Sequence, residues 1–320
     1  MSRIAFVFPG QGAQYVGMAK EISEISKAAG SILDEATNAL GFDIRKLLFE
    51  SDEETLKITE NTQPAILAAS MACAQPLIEA GIKADYAGGL SLGEYAAHVI
   101  SGSISFHDAV KLVRKRGKYM QEAVPVGVGS MAAILGLSRE DVLEACEKAA
   151  VKGIVEPANF NCPGQIVIAG EVAAVNEAIR ISTEKGAKRA MLLNVSAPFH
   201  CGMLKPAGEK LSKELESVEV KAMNVPVVTN VTGKLIESEN DIKDLLVKQV
   251  STSVRWEDCV RTLIENGTDT FIEIGPGKVL SGFIKKIDKT VRIFNVEDKA
   301  TLDNVLAALK GQPETTEKRK

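Results

Sequence analysis

Histidine is scarce in this chain: only His98, His107 and His200 occur in 320 residues. Imidazole chemistry therefore has few candidates. Cysteine is sparse and unpatterned. Cys73, Cys146, Cys162, Cys201 and Cys259 are dispersed, odd in number and form no C-x-x-C. That argues against a disulfide framework and a structural zinc site. An excess of one charge is also missing. Thirty-eight Lys and Arg face 42 Asp and Glu, a net charge of −4, which leaves no electrostatic footprint for nucleic acid. No apolar run approaches the roughly 20 residues that span a bilayer, so no membrane association is expected. The opening apolar stretch is broken at once by Pro9-Gly10, unlike a signal peptide. A cytoplasmic location is the resulting expectation. Neither a G-x-G-x-x-G nor a Walker A loop is present, so nucleotide binding is not supported.

Apolar residues make up 45% and charged residues 25%, as in a folded globular protein. The length predicts one large domain and a smaller one. Short apolar runs alternate with helical stretches, the pattern of a parallel sheet covered by helices. Strands are expected at Ile4–Phe8 and Tyr86–Leu90, and helices at Pro64–Ala80 and Ser105–Ala123. From about 128 to 196 the pattern changes to β-α-β-β-α-β. Strands are expected at Ser130–Leu137, Gly153–Asn161, Gln165–Ala169 and Lys188–Val195. Helices are expected from Ser138 and over Val172–Lys185. This order predicts a ferredoxin-like unit. The larger pattern resumes at Pro226–Asn230 and Thr270–Ile274. The fold class is thus α/β: a large parallel-sheet domain, residues 1–127 and 197–310, with a small ferredoxin-like domain, 128–196, inserted in it. The cleft between them is the default substrate site. The polar tail 311–320 is expected to be disordered.

Gly89-Leu90-Ser91-Leu92-Gly93 is a G-x-S-x-G between an apolar strand and a helical run. That context suits a nucleophile elbow. A serine capping a helix in a glycine-rich turn is the alternative. A serine nucleophile needs a base. His98 lies two helical turns after Ser91, about 10 Å along the axis, too far for a hydrogen bond. His107, beside Asp108 at a helix start, reads as surface. His200, where the small domain returns to the large one, remains the best candidate. On the 105–123 helix Phe106, Ala109, Val110, Val113, Gly117 and Met120 form an apolar stripe. Lys111, Arg114, Lys115 and Lys118 lie opposite, and Arg116 alone falls at the stripe's edge. A guanidinium facing a cleft suits a carboxylate. An internal salt bridge or a side chain reaching back to water would also satisfy it. Pro9-Gly10-Gln11-Gly12 can offer a free backbone N–H, or be a plain turn.

Several motifs in order resemble the malonyl-CoA:acyl carrier protein transacylases of bacterial fatty acid synthesis and the related acyltransferase domains of polyketide synthases. They are Phe8–Gly12, Asn61–Ala65, Gly89–Glu94, Arg116-Gly117 with Met120-Gln121, Asn159–Asn161 with Pro163–Gln165, Pro198–His200, Gln249 before Val254–Trp256, and Glu273–Gly277. The resemblance spans roughly residues 3–310. It implies an acylated Ser91, His200 as base and then acid, and the N–H groups of Gln11 and Leu92 as oxyanion hole. It also implies that the main-chain carbonyl of Gln249 orients His200, and that Arg116 clamps the malonyl carboxylate. Asn159, Asn161, Met120 and Phe199 would line the substrate site; Phe199 resembles the residue of malonyl-selective members. Many members have histidine where this chain has Leu90. The implied reaction moves malonyl from malonyl-CoA to the phosphopantetheine thiol of acyl carrier protein through a malonyl-serine. No metal or redox cofactor is needed, and a monomer is the default. The rivals are a serine thioesterase or hydrolase, which has no use for Arg116, a polyketide-pathway acyltransferase, and a silent carrier-binding module.

Overall fold

A computed structural model describes residues 2–195 and 197–309; the expected disordered tail lies outside the described residues. The strands, in chain order, are β1 (Arg3–Phe8), β2 (Tyr86–Gly89), β3 (Gly129–Leu135), β4 (Val155–Cys162), β5 (Gln165–Glu171), β6 (Arg189–Leu192), β7 (Thr268–Ile274) and β8 (Arg292–Val296).

Four strands form a parallel sheet in the order β2-β1-β7-β8. Its central strands carry apolar side chains at consecutive positions, such as Ala5, Phe6, Val7 and Phe8, all buried. Burial on both faces is what a parallel sheet covered by helices demands. The helix Thr59–Glu79 is buried along most of its length. It begins five residues before the expected start at Pro64. A proline suits a first turn, but burial of Thr59, Thr62 and Gln63 carries the helix back through it. The amphipathic helix runs Phe106–Glu122, capped by Ser105, whose Oγ accepts from the Asp108 N–H.

The segment expected to resume the sheet at Pro226–Asn230 is not a strand of it. Val227 makes one parallel bridge to Ala87, and the Ala87 N–H donates to the Pro226 carbonyl at 2.9 Å. Pro226 has no N–H to give, and beyond Val228 the chain turns so that Asn230 enters the site.

The other four strands form an antiparallel sheet in the order β4-β5-β3-β6. Helices Arg139–Ala149 and Val172–Glu184 complete the expected β-α-β-β-α-β order. Ile134, Val142, Phe160, Ile168, Val175 and Ile181 share a separate apolar core. Met131, Ala158, Val167 and Ala169 join the core of the parallel part instead. The two parts are also stitched by backbone. The Phe160 N–H donates to the Val254 carbonyl at 2.9 Å, and the Val254 N–H to that of Ala158 at 2.8 Å. β6 ends at Leu192, short of the expected Val195, because the chain peels away to line the cleft with Leu193, Asn194 and Val195.

Candidate active site

β2 runs into a turn of tight clearance. A Cβ on Gly89 would lie 2.0 Å from the Gly93 carbonyl carbon, and one on Gly93 would lie 2.1 Å from the Phe8 oxygen. Both positions exclude any side chain, which explains the glycines of the motif. Between them Ser91 sits at φ 53°, a left-handed conformation costly for a side-chain-bearing residue. Asn230 holds the turn. Its Oδ1 accepts from the Ser91 N–H at 2.6 Å, and its Nδ2 donates to the Gly89 carbonyl at 2.8 Å. The helix Gly93–Ser101 starts directly after, so its N-terminal dipole end faces the serine.

His200 arrives from the far side of the antiparallel unit, also in the left-handed region at φ 60°. Its Nε2 lies 2.7 Å from Ser91 Oγ, and its Nδ1 lies 2.9 Å from the Gln249 carbonyl oxygen. A main-chain carbonyl accepts only, so Nδ1 carries the proton and Nε2 is the acceptor. Burial first, and the Arg116 guanidinium second, push the His200 pKa down to about 3. The ring is therefore neutral at neutral pH, the form able to take a proton from Ser91.

Arg116 is 1% exposed. One Nη donates to Gln63 Oε1 at 2.8 Å; the other donates to Gln249 Oε1 at 2.9 Å and to Ser91 Oγ at 3.0 Å. The Tyr95 ring lies 5.4 Å from the guanidinium carbon. Among the described residues no carboxylate is within ion-pair distance of it. Burial lowers its pKa. A buried cation held only by neutral oxygens beside a serine has room in its chemistry for an anionic partner. Neither the internal salt bridge nor the reach to water occurs.

Gln11, Ser91, Leu92, Arg116, Met120, Asn159, Asn161, Phe199 and His200 line one cleft of about 980 Å³ between the two sheets. Gln249 stands behind its floor. Gln11 and Leu92 both line this cleft, Leu92 directly after Ser91 in the chain. Leu90 also lines the cleft, its Cδ2 3.0 Å from where a Cβ on Gly10 would fall. It fills apolar space there and takes no part in the polar contacts. His98 is buried, 2.9 Å from Ser103 Oγ, and burial alone pushes its pKa down to about 3. His107 is exposed.

Three residues of the site were not singled out for a role in sequence: Gln63, Glu94 and Asn230. Glu94 is fully buried, and burial pushes its pKa up to about 7 against the bonds it accepts. Gln63 and Glu94 sit inside quoted motifs, which was the available signal. Asn230 follows an apolar run and had none. No group of three or more His, Cys, Asp or Glu side chains among the described residues could hold a metal ion.

The acyl transferase domain model matches residues 5–308. A malonyl CoA-acyl carrier protein transacylase of Bacillus subtilis is 47% identical over 97% of this chain and 98% of its own. The crystal structure of a malonyl CoA-acyl carrier protein transacylase from Clostridium perfringens has a TM-score of 0.94 at 48% identity, covering 97% of this chain and 98% of the other. A malonyl-transacylase solved in complex with its type II PKS acyl-carrier protein has a TM-score of 0.93 at 44% identity, covering 96% of this chain and all of the other.

Proposed function

This chain belongs to the acyl transferase domain family, and from that membership and the site geometry we propose how it transfers malonyl from malonyl-CoA to acyl carrier protein for fatty acid synthesis. The carrying observation is a buried guanidinium, unpaired by any carboxylate, donating to the same Ser91 Oγ that meets His200.

In the proposed cycle the malonyl carboxylate binds Arg116, which brings the thioester carbon to Ser91. His200 Nε2 takes the hydroxyl proton as Oγ attacks. The N–H groups of Gln11 and Leu92 receive the negative charge on the carbonyl oxygen. The C–S bond breaks, the imidazolium returns its proton to the CoA sulfur, and a malonyl-serine ester remains. The carrier's phosphopantetheine thiol then gives its proton to His200 and attacks the ester carbon. The C–O bond breaks, and Ser91 recovers its proton from the imidazolium. The Gln249 carbonyl keeps the ring in the correct tautomer and steadies the imidazolium. Asn159, Asn161, Met120 and Phe199 shape the channel.

We read the antiparallel unit, 128–196, as a small domain over a large one formed by 1–127 and 197–310. The monomer is the proposed functional unit. No helix among the described residues is long and apolar enough to cross a membrane, and the cytoplasm is the proposed setting.

Intact-mass analysis after mixing with malonyl-CoA tests the cycle. Wild type should gain one malonyl group and Ser91→Ala none; an adduct on Ser91→Ala would overturn the nucleophile. Arg116→Ala should lose malonyl transfer by about a hundredfold or more and acetyl transfer much less. Equal losses would sink the clamp. Free malonate instead of malonyl-carrier as main product would make the protein a hydrolase.

A further inference from the structure

Glu94 lies in the first turn of the helix that follows Ser91. A buried carboxylate has to be hydrogen-bonded. Its Oε2 accepts from the Asn230 N–H at 2.9 Å and from Gln249 Nε2 at 2.7 Å, while its Oε1 has no partner among the described residues. The amide it meets is the one that meets Arg116. Gln249 Oε1 accepts from the guanidinium, and Nε2 also donates to the Ser91 carbonyl at 3.1 Å. The amide thus bridges an anion and a cation, its hydrogens toward one and its oxygen toward the other. Reversed, it would set its oxygen against the carboxylate and its hydrogens against the guanidinium, two repulsive contacts in a buried site.

We propose that Glu94 is a positioning residue for the acid clamp: by accepting from Gln249 Nε2 it holds that amide with its oxygen toward Arg116, and so fixes the guanidinium where a substrate carboxylate must land. This rests on the reading of Arg116 as the clamp. The role belongs to the acceptor oxygen and not to the charge, because both bonds go to Oε2. A proton on Oε1, or an amide NH₂ in its place, leaves them intact. The charged and titratable groups that act on Glu94 are Arg116, Tyr95 and Cys259.

The test is the ratio of kcat/KM for malonyl-CoA to that for acetyl-CoA, which lacks the carboxylate. A general loss of folded enzyme, or a displaced Ser91–His200 pair, lowers both and cancels. Glu94→Met keeps the volume but not the acceptor, and should lower the ratio about tenfold or more, as leaving a buried donor without its acceptor does. Glu94→Gln keeps an acceptor oxygen and should hold the ratio within about threefold. Equal losses on both substrates in Glu94→Met would reduce Glu94 to a structural role and overturn the proposal. If Glu94→Met fails to fold, the wild-type ratio from about pH 6 to about pH 8 decides. A flat ratio is expected; a ratio that changes as Glu94 titrates assigns the effect to charge and overturns it. Arg116→Ala runs alongside. A ratio unchanged there sinks the clamp itself, whereas a ratio lost there and kept in Glu94→Met sinks only the positioning role.

Discussion

Arg116 and His200 show how two residues set each other's chemistry. Both are buried beside Ser91, and the guanidinium disfavours a second positive charge on the imidazole. His200 therefore titrates at about 3, below its ordinary 6.5. The unfolded chain binds more protons in that window. The stability owed to the neutral ring is full above 6.5 and is lost as pH falls toward 3. For activity, the acid limb of kcat/KM for acetyl transfer in the free enzyme should lie below 6.5. In Arg116→Ala one of the two lowering causes is gone, so the limb should move up, though not to 6.5, because burial remains the larger cause. A pH–rate profile checks this, and a limb that stays put or moves down contradicts the coupling. The meeting of these side chains at Ser91 was partly legible in sequence. Three histidines left one strong candidate, and an arginine at the edge of an apolar stripe stood out. The Gln249 carbonyl under His200 is a backbone atom, which no residue type marks. Gln63, Glu94 and Asn230 meet partners distant in sequence; the first two fall inside the motifs, and no local pattern marks Asn230.

At the scale of the element, the elbow is the most constrained piece. β1, β2 and the Gly93–Ser101 helix approach so closely that Gly89 and Gly93 have no room for a methyl group. Gly89→Ala should cost about 2 kcal/mol or more, as overpacking against backbone does. Urea unfolding measures it, and a change below about 0.5 kcal/mol would mean that the turn relaxes. The turn's sequence made it readable, because strand, small residues and helix follow one another within a dozen positions. Helix ends were less readable. The Thr59–Glu79 helix starts before its proline because Thr62 and Gln63 pack inward, a tertiary gain that outweighs one lost N–H bond. Pro226–Asn230 reads as a strand by composition and forms only two isolated bridges, because edge pairing depends on the neighbour's shape and not on residue type.

Across the whole molecule, the cleft exists because one face of the antiparallel sheet joins the core of the parallel part. Residues such as Met131 and Val167 bury against it, and the Val254 backbone accepts from Phe160 and donates to Ala158. Arg139 forks onto Asp258 at 2.8 and 3.1 Å, tying a helix of the antiparallel unit to the Trp256–Glu265 helix. With so much shared burial, the two parts should unfold together. The single Trp256 lies in the parallel part. Its fluorescence and far-ultraviolet circular dichroism should give coincident urea transitions; separated midpoints would mean that the antiparallel unit opens alone. The α/β class and the β-α-β-β-α-β order of 128–196 were determined by sequence alone, because apolar periodicity and glycine turns are local and repeat along the chain; β8 was not among the expected strands, and Pro226–Asn230 has a strand's composition without forming one. The meeting of Ser91, His200 and Arg116 was decided only by tertiary structure. Their contacts span from 25 to 109 positions, and such distances close only when the packing of both sheets sets the path of the chain between them.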